Sequence, residues 1–476
     1  MNLYSTKTYS HITTSLLIIC SIIFGYFIIK NANWTWGDDY EFLISTAVGK
    51  IEWDLHIANH GRLYPLGHFD FNILTFIHGA DGPSAHYILV LISFFIFVFL
   101  SFRLYQDILQ NTNANQKTIS WIILISIIFL FYYFYKIFFF LVYSERIIII
   151  LLSLFFILYS KFLSTKKLPY AIITLIVSIY LCFTKETSFI IFGTVAGLNL
   201  LLNVKNISKR EIIFYCILLV IIIIFLSVYY FVAYRSTDTY YSRHSTFEEV
   251  IKFSFRNLKI LYIATALSIW RIYCILLQHD RKNFYIDSLL FSGILHAIAN
   301  IILKMPMDYY YFPAVMLSLP ALLHWGVRLY NPNWILTALI LISGYYVRKF
   351  PETIESIQNL RITSNHQFQE LTKLLNNVDS AYWLQEANVT SVNVGLMSYQ
   401  RELLGVYYNY YNKSNKITEI NNISKIPDFA GKKTVIFYSN YNNINNNQDS
   451  TLEKIYQLGY KKTNFSAINE INIFVN

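Results

Sequence analysis

Four short clusters of ionisable residues carry most of the chemistry this sequence offers. The first is Trp36-Gly37-Asp38-Asp39-Tyr40. Adjacent carboxylates repel, and desolvation raises a carboxyl pKa, so one of the pair suits removal of a proton from an incoming hydroxyl. The competing reading is a helix N-cap, with Asp38 or Asp39 capping a helix that starts near Tyr40. The second cluster is Lys185-Glu186 in FTKETSF. A lysine at a headgroup boundary suits a lipid-borne phosphate; the alternative is a self-neutralising pair that ends a hairpin.

The third cluster is Tyr143-Ser144-Glu145-Arg146. Its two charges either line the same cavity as Lys185 or sit solvated in a turn. The fourth is Met307-Asp308-Tyr309-Tyr310-Tyr311-Phe312-Pro313. Its tyrosines are either part of the site or an interfacial aromatic belt with Asp308 exposed. His60-Gly61-Arg62-Leu63-Tyr64-Pro65 adds Arg62, whose fork suits bidentate phosphate binding or, more simply, a solvated turn. His60 stands beside it as a supporting group. His56, His60 and His68 with Asp70 have separations that fit no tight ligand motif, so no metal site is expected. No phosphate-cradling glycine motif of the Walker or GxGxxG type occurs, and nothing calls for a nucleotide cofactor.

The elements that must hold these residues are membrane helices. The chain has 476 residues, 55% hydrophobic and 14% charged, against roughly a quarter charged in soluble domains. Runs such as 212–234 are long enough to cross a bilayer. This composition excludes a soluble enzyme, a disordered chain and a disulfide scaffold, because the four cysteines lie unpaired in apolar segments. The net charge of +10 reflects basic loops rather than a nucleic-acid face.

Eleven spans are expected, at 11–30, 85–105, 119–141, 146–163, 168–184, 187–203, 212–234, 259–277, 284–303, 310–327 and 334–348. With the N-terminus inside, inner loops and their flanks carry Lys117, Lys161, Lys166, Lys167, Lys205, Lys209, Arg210, Arg281, Lys282 and Arg328. Outer turns hold mainly Arg146, Lys185 and Lys304, the expected positive-inside bias, although the outer loop 235–258 adds four basic residues. All four clusters then fall on the outer side. Residues 168–203 must cross twice in 36 residues, about 27 Å per crossing, so the Lys185 turn has no slack.

Two domains are expected: a membrane domain over 1–348 that includes the first outer loop 31–84, and a small outer α/β domain over 349–476. In the latter, TVIFYS (434–439) and INIFV (471–475) read as strands, and 450–459 as a helix ending near Gly459. Tyr382, Trp383, Tyr399, Tyr407 and Tyr408 either stack on sugars or pack that domain's core.

These residues, in this order, resemble the GT-C superfamily of membrane glycosyltransferases. Asp38-Asp39 matches the acidic motif of the family's first outer loop. Thr184-Lys185-Glu186 looks like its (S/T)KE element, and Asp308-Tyr309-Tyr310-Tyr311-Phe312-Pro313 looks like its aromatic, Pro-ending element, with Asp308 where an Arg is usual. Asp38-Asp39-Tyr40, Trp53 and Gly61-Arg62 together are similar to bacterial and phage O-antigen glucosyltransferases. The resemblance implies a GT-C-like helical membrane protein of a bacterial inner membrane, with its C-terminal domain periplasmic. It implies inverting transfer of a hexose such as glucose from a polyprenyl-phosphate donor to a polysaccharide acceptor. Asp38 or Asp39 would be the base, and Lys185 and Arg62 would hold the donor phosphate. Glu186, Glu145, Arg146, Asp308, Tyr309 and His60 would support the cavity. Membrane lipids and the two glycan substrates are the implied partners, with no nucleic acid and no cofactor. The rival classes are an O-antigen polymerase, which would rely on arginine-rich outer loops, and a lipid-linked-sugar flippase. The flippase reading draws on Lys136 and Arg271 at mid-membrane depth.

Overall fold

A computed structural model of the chain describes residues 3–30, 63–78, 84–108, 137–139, 144–234, 246–280, 283–305, 308–328, 337–345, 347–352, 355, 374, 377–384, 417–420, 433–439, 448–462 and 471–475. The expected span 119–141 and the residues Asp38, Asp39, His60 and Arg62 lie outside these, apart from 137–139.

The helices run α1 (Leu3–Lys30), α2 (Phe69–His78), α3 (Ser84–Ile108), α4 (Glu145–Thr165), α5 (Leu168–Thr184), α6 (Ser188–Leu202) and α7 (Lys209–Tyr229). They continue with α8 (Phe247–Asn257), α9 (Lys259–Leu277), α10 (Phe284–Ile302) and α11 (Phe312–Arg328). Five of the described helices are long and apolar enough to cross a membrane: α3, α4, α7 with its extension to Tyr234, α9 and α10. α5 and α6 are apolar but have only 17 and 15 residues, about 25 and 22 Å, the tight pair that the 36-residue interval requires. The chain is a multi-pass, mainly helical membrane protein.

The helices start and stop where local chemistry dictates. Ser208 and Glu211 form a reciprocal capping box at the start of α7, and Thr246 and Glu249 do the same for α8. The bond from the Thr246 backbone holds the Glu249 carboxyl below the usual carboxylate range. Pro169 sits in the first turn of α5, where its missing N–H costs nothing, and Lys166 ends α4 in the left-handed region. The expected outer loop 235–258 therefore contains a helix, α8. Span ten begins two residues later than expected, because Asp308–Tyr311 forms a 3-10 turn before α11.

Side chains sort by face as a lipid solvent demands. Ile18, Ile19, Ile22 and Ile23 on α1 and Ile213, Ile217, Ile223 and Ile224 on α7 are exposed, while Phe214, Leu218 and Phe225 point inward. α10 is the central helix, and Gly293 is where α11 crosses it closely. A Cβ there would stand 2.7 Å from the Ala314 carbonyl oxygen. Polar interior groups are bonded across helices: Tyr159 to Tyr215 at 2.7 Å, and the Asn199 amide to Tyr159 and Ser288.

The contacts divide the chain into two compact units, one of 1–30, 53–74 and 85–354, the other of 31–52, 75–84 and 355–476. The second contains a five-stranded sheet of β1 (Ser380–Leu384), β2 (Ile417–Ile420), β3 (Thr434–Ser439), β4 (Lys461–Lys462) and β5 (Ile471–Val475). The strand order is β2-β1-β3-β5-β4. β1 lies parallel to β2 and β3, and β5 lies antiparallel to β3 and β4. The helix α12 (Gln448–Gln457) ends in a turn at Gly459, whose φ of 85° favours glycine. Tyr382, Ile436, Ile455, Tyr460 and Phe474 form the core of this unit, so Tyr382 packs rather than presenting a sugar platform. Burial pushes the Tyr460 phenol up to about 12.

Candidate functional site

The end of the bundle that carries Lys185 gathers three of the sequence clusters. Lys185 caps the C-terminus of α5 in an extended conformation (φ −153°, ψ 124°), which turns the chain sharply into α6. Lys185, Glu186, Thr187 and Ser188 are all buried. Glu145, the first residue of α4, is buried as well and lies 3.0 Å from the Lys185 ammonium. The Lys185 counter-ion is thus Glu145 rather than its sequence neighbour Glu186, which corrects the self-neutralising reading of that pair. The solvated-turn reading of Glu145 and Arg146 is corrected too, since their exposures are 2% and 1%.

Aromatic faces complete the surroundings of the ammonium. The Tyr310 ring centroid is 4.2 Å from Lys185 Nζ and that of Tyr64 is 5.9 Å away, both favourable for a cation. Tyr309 contributes by packing on Tyr310, ring centroids 4.4 Å apart. The aromatic element thus reaches the lysine through Tyr310, while Asp308 marks the start of its 3-10 turn. Asn300 donates to the Tyr310 carbonyl at 3.1 Å, and its neighbour on the same helix, His296, meets Thr187 Oγ1 at 3.2 Å. α10 therefore fixes the aromatic element and the Lys185 turn to one scaffold.

A second ion pair stands beside the first. Arg146 donates to Asp70 at 2.7 Å and to Ser93 Oγ at 2.7 Å, with its guanidinium 4.5 Å from the Phe71 ring centroid. Asp70 and Phe71 belong to α2, Ser93 to α3 and Arg146 to α4, so one planar fork joins three helices. The described stretch before α2 is tied to the same place. Leu66 N–H donates to the Phe183 carbonyl at 3.0 Å, two residues before Lys185. The sequence pointed to Lys185, Glu145 and Arg146 one by one, but not to their cross-pairing. Tyr64 and Tyr310 were visible only as parts of longer motifs, and Asp70 only as a metal ligand. Two turns each carrying one acid and one base was the signal that a charge of one, Lys185, would meet a charge of the other, Glu145.

Arg271, also buried, is a different kind of site. Arg271 on α9 donates twice to Asp287, at 2.7 Å each, and to the Asp280 carboxylate at 2.9 Å and carbonyl oxygen at 3.3 Å, with the Trp325 ring centroid 4.1 Å from its guanidinium. Its donors are taken up by protein groups, and the bonds join α9 to the start of α10. Among the described residues no three His, Cys, Asp or Glu side chains gather as a metal-ligand set.

This architecture has solved counterparts. ArnT from Cupriavidus metallidurans, solved bound to undecaprenyl phosphate, aligns with a TM-score of 0.54 at 9% identity, covering 97% of each chain. The apo form of the same protein aligns with a TM-score of 0.51 at 10% identity over 97% of this chain and 98% of that one. The fold is GT-C. An oligosaccharyltransferase from Archaeoglobus fulgidus tethered to an acceptor peptide also aligns, with a TM-score of 0.48, 12% identity, 94% of this chain and 69% of that one. No family model matches the sequence, and no curated protein matches it. At these identities the kinship is carried by backbone architecture rather than by sequence.

Proposed function

We propose that the protein is a lipid-linked glycosyltransferase that moves a hexose such as glucose from a polyprenyl-phosphate donor to a surface polysaccharide such as O-antigen. The observation that carries this reading is the buried Lys185 ammonium, set between Glu145 and the Tyr310 and Tyr64 rings at a helix end of a GT-C fold. A cation at such a boundary, with ring faces and, among the described residues, Glu145 as its counter-ion, suits a phosphate that hangs from a membrane-embedded chain.

In this reading Lys185 and Arg62 stabilise the charge that develops on the departing polyprenyl phosphate. Asp38 or Asp39 takes the proton from the acceptor hydroxyl as that oxygen attacks the anomeric carbon from the opposite face, which inverts the configuration. The Arg146–Asp70 fork holds α2, α3 and α4 together so that Glu145 and Lys185 stay in register. Residues 1–348 form the membrane domain and 349–476 an outer domain that helps hold the acceptor. The reaction takes place on the periplasmic face of a bacterial inner membrane, with the N-terminus cytoplasmic. The basic inner loops support that orientation.

The test is mass and linkage analysis of surface polysaccharide, with and without this gene, in a host lacking other modifying transferases. One added sugar per repeat unit is the expected outcome. An unchanged repeat with an altered chain-length ladder would replace this reading with a polymerase.

A further inference from the structure

Glu145 is a carboxylate that needs an account of its own. Its side chain is 3% exposed, and burying an anion costs several kcal/mol unless hydrogen bonds and counter-charge offset it. Its sequence neighbour Arg146 is committed to Asp70 and Ser93. Lys185 Nζ lies 3.0 Å from Glu145 Oε1, yet among the described residues no aligned hydrogen bond reaches that oxygen. The two groups attract without being locked, in contrast to Arg271 and Asp287, which share two aligned bonds.

Each partner also has something to fall back on. Glu145 opens α4, where the unsatisfied N–H groups of the first turn favour negative charge whether or not the ammonium stays close. Lys185 has three donors, and its described neighbours besides Glu145 include the ring faces of Tyr310 and Tyr64 and the imidazole of His296. Those faces attract a cation but offer weaker partners than anionic oxygens.

We propose that Glu145 is the resident counter-ion of Lys185, holding the position a phosphate oxygen takes, so that phosphate binding exchanges one anion for another on the same ammonium. This rests on the reading of Lys185 as the donor-phosphate residue. Glu145 is then a positioning residue that sets how tightly phosphate is held. Its value to turnover lies at the end of the reaction. A sugar-bearing phosphodiester has a single negative charge, and the polyprenyl phosphate left after transfer approaches two. A bare lysine would hold that product more tightly than the substrate. A carboxylate that competes for the ammonium weakens the hold and speeds release.

The experiment measures binding of a polyprenyl phosphate, with the uncharged polyprenol as control, to the full chain in lipid nanodiscs. Glu145→Gln keeps the shape and removes the competing charge. It is expected to bind the phosphate about tenfold tighter and the polyprenol unchanged. Lys185→Ala is expected to weaken phosphate binding about tenfold or more, and in that background Glu145→Gln should give no gain. Glu145→Asp, which draws the carboxylate back by one methylene, should tighten binding by about twofold to fivefold; it carries the test if the Gln variant does not fold. If Lys185→Ala binds phosphate like the parent protein, the phosphate role of Lys185 fails. If Lys185→Ala weakens binding but the Glu145 variants bind unchanged or more weakly, the phosphate role stands and the counter-ion exchange is overturned.

Discussion

Leu66 donates its backbone N–H to the carbonyl oxygen of Phe183 across 3.0 Å, which ties the stretch just before α2 to the last turn of α5. Gly67 makes the approach possible: a Cβ there would lie 2.8 Å from Tyr64 Cδ2 and 3.3 Å from the Thr184 carbonyl oxygen. Leu66, four positions after Arg62 in sequence, therefore lies against the turn that presents Lys185.

This contact predicts that Leu66→Pro and Gly67→Val disable transfer without unfolding the bundle. Proline removes the donor, and valine forces Tyr64 and the Thr184 backbone apart. A displacement of about 1 Å at a reacting centre costs on the order of 100-fold in rate. Transfer assayed in membranes should fall by about that factor, with protein level and thermal unfolding of the solubilised chain near normal. A loss of expression in both variants would instead assign the contact to folding.

Much of the bundle was legible because lipid imposes one rule on every span. The apolar runs gave α4, α5, α6, α7, α9 and α10 to within a few residues, and TVIFYS and INIFV are the strands β3 and β5. What could not be read was which charges meet. Glu145 and Lys185 are 40 positions apart, Asp70 and Arg146 are 76 apart, and their pairing follows from how α2, α4 and α5 pack. The 3-10 turn Asp308–Tyr311 was hidden by a run of aromatic residues that reads equally well as helix.

Arg146 should be irreplaceable by lysine. Its fork reaches Asp70 and Ser93 at once, and a single ammonium cannot span two partners on different helices in that geometry. Arg146→Ala leaves Asp70 with a partly buried charge and is expected to cost about 3–5 kcal/mol. Arg146→Lys should lie between the two. Thermal unfolding in detergent checks the order, and a double-mutant cycle with Asp70→Asn should show non-additivity of at least about 0.5 kcal/mol. Equal midpoints for the parent and Arg146→Lys would contradict the bridging role.

The base assignment is testable one residue at a time. Asp38→Asn and Asp39→Asn each keep size and hydrogen-bonding capacity while removing basicity. The one that serves as base should lose about 100-fold to 10,000-fold in transfer, and the other should lose far less. Transfer is scored per amount of membrane-inserted protein. If both variants retain activity, the proton is taken elsewhere and the roles of the first loop must be redrawn.

Arg271 and Lys185 are both buried cations, and the difference in their partners predicts opposite behaviour. Arg271 is enclosed by Asp287, Asp280 and the Trp325 face, so removing Asp287 alone takes away its buried counter-charge and leaves the half-buried Asp280, at an expected cost of about 3 kcal/mol. Replacing the pair together, as Arg271→Met with Asp287→Leu, should recover much of that stability, because apolar residues of similar volume can fill the same space. Transfer by the double variant should persist in proportion to the folded protein. Lys185 offers no such rescue: Lys185→Met with Glu145→Leu should be folded and inactive, since the site then lacks the charge that faces the phosphate. If the Arg271 and Asp287 double variant is folded but inactive, the pair is functional after all, and the flippase reading that drew on Arg271 regains its footing.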